Sequence, residues 1–124
     1  MPISVGWHNS DHTIVTLKFQ RGWSWSNLYA ALQQADEFIG SVQHTVHLLI
    51  DLREGGRLPL DFMSVAGDLF SSGDARPNEG KRVVVGAGRL VRAAYGSLLR
   101  VYGSKLAERP IQFADTLEQA IELL

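Results

Sequence analysis

Val46-His47-Leu48-Leu49-Ile50-Asp51-Leu52 constrains this chain more than any other stretch. It is short, almost continuously apolar, and free of turn residues until Gly55. Such a run reads as a strand covered on both faces, which is how a central strand of a parallel sheet appears in sequence. It ends at Asp51 and Arg53 and leads into the loop Glu54-Gly55-Gly56-Arg57-Leu58-Pro59. Open parallel sheets meet ligands and partners at the carboxyl ends of their strands, so this end is where function is expected.

The elements on either side fit that reading. Ile3, Val5 and Trp7 alternate with Ser4, Gly6 and His8, then the turn His8–His12 leads to a second alternating strand over Thr13–Phe19. Two alternating strands joined by a short polar link predict an antiparallel hairpin at one edge of the sheet. Ser24 is a fitting N-cap for a helix in which Leu28, Ala31, Leu32, Ala35, Phe38 and Ile39 share one face, and Gly40 is expected to end it in a left-handed cap. Pro59 and Asp61 start a second helix that runs to Phe70, followed by a polar loop from Gly73 to Lys81. Val83-Val84-Val85 predicts another buried strand, closed by Gly86-Ala87-Gly88. A third helix over about Arg89–Tyr102, a strand over Pro110–Phe113 and a final helix through Leu123 complete the chain. Asp115-Thr116-Leu117-Glu118 has the form of a capping box for that last helix. The order β-β-α-β-α-β-α-β-α predicts one α/β domain over residues 1–124: a single mixed sheet of five strands, one antiparallel at the edge and four parallel, with four helices.

Composition narrows the function classes. A formal charge of -1 argues against a general nucleic-acid binder. Without cysteine there is no disulfide framework, thiolate metal site or thiol nucleophile. The start Met1-Pro2-Ile3-Ser4 lacks the basic and apolar regions of a signal peptide, and no run approaches the ~20 apolar residues of a membrane span. A cytoplasmic location is therefore expected, without integral membrane insertion. The four histidines follow no ligand spacing, nothing has the form of a nucleophile elbow, and neither metal nor cofactor is expected. Gly86-Ala87-Gly88-Arg89 lacks the third glycine of a dinucleotide fingerprint and reads as a tight turn.

Four pieces in order carry a family resemblance: Gly22-Trp23-Ser24-Trp25, Leu49-Ile50-Asp51-Leu52-Arg53, Val83-Val84-Val85-Gly86, and the stretch from Phe113 to Ala120. Together they resemble a SpoIIAA-like, STAS-type domain over nearly the whole chain. The resemblance implies a sheet of one antiparallel and four parallel strands with helices packed on it. It also implies a non-enzymatic regulatory or scaffolding role, such as an anti-sigma-factor antagonist that binds a partner kinase; some branches resemble lipid-binding domains instead. Regulated members carry a phosphorylated serine in an Asp-Ser-Ser-Gly motif at the start of the second helix. Here that position falls at Pro59-Leu60-Asp61, without a hydroxyl, while Ser71-Ser72-Gly73 lies at the far end of the helix. The usual phosphoserine switch is thus not expected. Asp61 is either a plain N-cap or a permanent negative charge in the phosphate's place.

The expected carboxyl edge gathers Arg21, Arg53, Arg57 and Arg89 beside three helix N-termini, which makes it a candidate partner or anion edge. The alternative is that Asp51 and Asp115 pair with arginines and simply close the edge. Trp23, Trp25 and Tyr29 cluster at the first helix entry, either as a staple under the core or as an aromatic patch for a partner. In the third helix Tyr95 lies among apolar residues, and Arg89, Arg92 and Arg100 form a basic strip. A helix this apolar is expected to be covered twice, and a homodimer contact through 89–102 or a bound acyl chain would supply the second cover. Two functions follow: a module that binds a protein partner, or a carrier or sensor of an apolar small molecule.

Overall fold

The structure is a computed structural model that describes residues 2–55, 77–89, 91–93, 95–97, 100 and 111–124. Its core is one five-stranded sheet in the order β1-β2-β3-β4-β5, formed by Ile3–Trp7, Ile14–Gln20, Val46–Glu54, Glu79–Val85 and Ile111–Ala114. β1 runs antiparallel to β2 and all other neighbours are parallel. The expected fold class is therefore the observed one, and Val46–Glu54 is the middle strand. Among the described residues three helices accompany the sheet: α1 (Trp25–Gly40), α2 (helical at every described residue between 89 and 100) and α3 (Leu117–Leu123). The helix expected between Pro59 and Phe70, with Arg57 and Asp61, lies outside the described residues, as does the Ser71–Gly73 triplet.

Alternation along the strands divides the core into two layers. Val15, Leu17, Phe19, Val46 and Leu48 pack with Ala31, Ala35 and Ile39 of α1 on one face. Leu49, Val83, Val85 and Ala114 pack with Ala120 of α3 on the other. Leu17 and Leu49 are each 1% exposed, and burying such a side chain contributes about 1.5–3 kcal/mol. Phe113 alternates onto the α1 side of the sheet, where Tyr95 of α2 meets it edge-on at 5.5 Å and the Arg92 guanidinium lies over its ring.

Four local expectations require correction. Gly40 is the last residue of α1 but takes no left-handed conformation; Ser41 ends the helix at φ -79°, its hydroxyl donating to the Phe38 carbonyl at 2.6 Å. β4 begins at Glu79, inside the stretch read as a loop, because a strand edge needs no apolar side chains when its backbone pairs. The cap of α3 falls on Thr116 rather than Asp115: Thr116 Oγ1 accepts the Gln119 N–H, and Gln119 Oε1 accepts the Asp115 N–H. β3 continues through Arg53 to Glu54, past the expected end of the strand.

Two polar residues tie the amino end of the sheet together. Asn78 Nδ2 donates to the carbonyls of Ile39, Val42 and His44 at 2.9–3.1 Å, so one side chain closes the end of α1 and the loop into β3. Asn78→Ala is expected to cost about 1–2 kcal/mol in urea unfolding. Asn78→Asp, which keeps the shape and loses the donors, should cost at least as much.

His47 serves a bulge. Two residues of β4, Gly80 and Lys81, oppose His47 between the paired positions Val46↔Glu79 and Leu48↔Arg82. The Lys81 N–H, displaced from the ladder, donates to His47 Nδ1 at 2.8 Å. A side chain at Gly80 would collide with that ring, so glycine is required by the close approach. Burial, then the Lys81 charge, hold His47 below its ordinary pKa. The unfolded chain therefore takes up this proton first as pH falls, and stability should decline below about pH 6.5, through the folded pKa. Urea unfolding at about pH 7.5 and 5.5 checks this: His47→Gln should lose less over that interval than the parent chain.

Candidate functional site at the carboxyl edge

The carboxyl ends of β2, β3, β4 and β5 lead into Arg21–Ser24, Gly55, Gly86–Gly88 and Asp115–Thr116. Asp51 stands at the centre, in register with Lys18 of β2 and Val85 of β4. It points to the α3 side with Leu49 and is 4% exposed.

A buried carboxylate must be matched by donors, and among the described residues Arg53 supplies three. Arg53, two positions on and on the same face, donates its backbone N–H and its Nε to Asp51 Oδ1, both at 3.0 Å, and its Nη2 to Oδ2 at 2.8 Å. The guanidinium grips the carboxylate in the bidentate manner that fits its planar fork. Burial by itself would raise the Asp51 pKa, but the hydrogen bonds from Arg53 and the charges of Arg53 and Lys18 outweigh it, and the carboxyl is held below its ordinary range. The same contacts hold the Arg53 guanidinium more firmly protonated. Asp51 is thus a fixed anion, and Arg53, with its side chain 45% exposed, is a cation presented in one orientation.

Two further features fix that orientation. β3 carries a bulge, since Leu52 and Arg53 together oppose Phe19 between the pairs Lys18↔Asp51 and Gln20↔Glu54. The extra residue bends the strand end at the base of the rim. Gly86, at φ 78°, lets the chain leaving β4 pass directly against the Arg53 backbone.

The other expected residues separate into distinct roles. Arg92 pairs with Asp115 at 2.8 Å, so the second rim carboxylate is also held by an arginine. Tyr95 Oη accepts the Ile111 N–H at 3.0 Å, which commits this side chain to the edge of β5. Arg21 and Arg89 are exposed and make no ion pair among the described residues. Of the expected arginines that lie among the described residues, Arg53 is bound into the rim and Arg21 and Arg89 are not, while Arg57 lies outside the described residues. Trp23 and Trp25 meet edge-on at 5.5 Å, and Trp23 meets Phe19 in the same way at 5.1 Å. The aromatic group is therefore rooted in the core through Phe19 and extends outward to Trp25, while Tyr29 is 51% exposed. The N-terminus of α1 is closed by its own capping box between Ser24 and Asn27, and that of α3 by Thr116, which reduces the anion-binding capacity expected of these helix starts.

Lys18 and Glu54 were not expected at the site. They form an exposed pair at 3.7 Å beside Asp51. Lys18 could have been found in the sequence as the charged member of β2's outer face; Glu54 read as a loop residue because the bulge breaks the alternation before it. Among the described residues no group of histidine, aspartate and glutamate is arranged to hold a metal ion, and no helix is long and apolar enough to cross a membrane. Comparison of the chain with protein-family models, curated proteins and solved structures finds no match.

Proposed function

We propose that this chain is a SpoIIAA-like, STAS-type regulatory or scaffolding module that binds a protein partner through its carboxyl rim and does not transform it. The five-stranded sheet with one antiparallel strand is the sheet the motif resemblance implies, and it supports that part of the reading. The observation that carries the rest is the Asp51–Arg53 pair. The acid at the middle of the rim accepts three hydrogen bonds from one arginine, which suits an anchor and not a proton-transfer group. The rim presents arginine charge at Arg21, Arg53 and Arg89, and the turn after β2 with the first turns of α1 presents Trp23, Trp25 and Tyr29; interfaces are enriched in both residue types.

Photo-crosslinking residues placed at Arg21 and Tyr29, with Gln43 at the opposite end as control, test the proposal in the native cells. A polypeptide adduct formed from the rim and not from Gln43 is the expected result. Native mass spectrometry of the purified chain gives the opposing one: a small molecule retained by the parent and lost from Trp23→Ala would replace the module with a carrier of apolar ligands. Absence of any rim adduct would also overturn the proposal.

A further inference from the structure

The two margins of the sheet are treated differently. At β5 the outward Ile111 N–H is taken by the Tyr95 hydroxyl, and Arg92 lies over Phe113 beside it. β1, at the other margin, has no such cover among the described residues. Its pairing with β2 is regular over five positions, from Ile3↔Phe19 to Trp7↔Val15, without a bulge. The strand itself contains no charged residue and no proline, so charge, proline and bulge, three devices that blunt an edge strand, are missing from it.

The hydrogen-bond phase shows which groups face outward. His8 donates its N–H to the Ile14 carbonyl, and Gln20 donates to the Pro2 carbonyl. In an antiparallel pair the bonded positions alternate, so Pro2, Ser4, Gly6 and His8 bond to β2 while Ile3, Val5 and Trp7 turn their N–H and C=O groups to the open edge. A free polypeptide backbone matches such a row. Beside it lies an open groove of 480 Å³ between β1 and α1, lined by Val5, Trp7 and Phe38 with Gln34, Glu37 and Ser41. Trp7 is held there by stacking on His12 at 4.4 Å and by edge contact with Phe38 at 5.3 Å.

We propose that the β1 edge binds an extended segment of another protein by strand addition, with apolar side chains at every second position and a lysine or arginine among them. Main-chain bonds to Ile3, Val5 and Trp7 would hold the segment, and its alternate side chains would enter the groove. The basic residue answers the charge of the groove: Glu37 lines it, is exposed and makes no ion pair among the described residues, and α1 contains no lysine or arginine. That charge also disfavours a second copy as the occupant. Two β1 strands related by a two-fold axis normal to the sheet would set two α1 helices side by side, each bearing Glu37 and neither containing a lysine or arginine. This surface is separate from the carboxyl rim and stands whatever the rim contacts.

The test is selection of displayed random eight-residue peptides on the full chain. Enrichment of alternating apolar sequences containing lysine or arginine is expected, with the amides of Ile3, Val5 and Trp7 protected from exchange when a selected peptide binds. Val5→Pro removes one outward N–H and none of the β1–β2 bonds, so the strand should persist while peptide affinity falls about tenfold or more. Glu37→Lys, which leaves the strand untouched, should invert the charge preference of the selected peptides. The proposal fails if no alternating sequence is enriched, if selected peptides leave those three amides unprotected, or if a folded Val5→Pro chain binds them unchanged. It also fails if the amides are already protected in the free chain by concentration-dependent self-association, which would make a second copy the occupant.

Discussion

Gly86→Ala is expected to destabilise the chain by about 3 kcal/mol, a fall in Tm on the order of 10 °C for a domain of this size. Two costs combine. The residue sits at φ 78°, where a Cβ costs roughly 1–2 kcal/mol. That Cβ would also lie 2.8 Å from both the N and the Cα of Arg53, main-chain atoms that can move only if β3 and β4 shift apart, a strain of about 1–3 kcal/mol. The same Cβ would press on Arg53 Cγ and push aside the side chain that grips Asp51, so the rim should be disordered before the core is. Gly88→Ala is the control, since a Cβ there meets nothing within 4 Å and the backbone is not left-handed. Equal thermal stability of the two variants would show that the contact between the β4 turn and Arg53 is wrongly placed.

Arg53→Ala is expected to cost about 2 kcal/mol at neutral pH, because a carboxylate whose side chain is 6% exposed then loses both guanidinium bonds and keeps, among the described residues, only the backbone N–H donor. The figure is kept below that of a fully buried pair because the Arg53 side chain is 45% exposed and partly screened. The sign of the pH dependence follows from the folded Asp51 pKa, which lies below its ordinary value of 3.8 in the parent chain. The pair's contribution is therefore present above the unfolded pKa and lost as pH falls through the folded one. Parent and variant should converge in acid. Urea unfolding from neutral pH to about pH 3 reads both effects, and a difference that persists unchanged in acid would mean that the loss comes from packing and not from charge.

The fold was legible wherever burial writes a period into the chain. Ile3–Trp7 alternates because one side rests on α1, and the face of Ala31, Ala35 and Ile39 repeats because α1 rests on the sheet. Boundaries were lost where the backbone, not the side chains, decides. Glu79, Gly80 and Lys81 look like a loop because a bulged strand start needs no apolar residue, and Ser41 ends α1 through a hydroxyl contact that no period foretells. The site was half legible. Asp51 and Arg53 could be placed at the rim from the run that precedes them, and an acid–arginine pairing was one of two expected outcomes. Which arginine meets which acid was not readable: Arg53 reaches back two residues, while Arg92 crosses from α2 to Asp115. Tyr95 shows the limit most clearly, since its hydroxyl serves a backbone N–H sixteen residues on.

Asp51 serves the rim as a permanently ionised anchor for Arg53, and the titration of its side-chain carboxyl carbon by NMR measures that directly. A midpoint below 3.8, moving upward in Arg53→Ala, is the predicted result. A midpoint above about 5 in the parent chain would contradict it, since a carboxyl that exchanges protons near neutral pH is equipped for acid–base chemistry and not for holding an arginine at a binding rim.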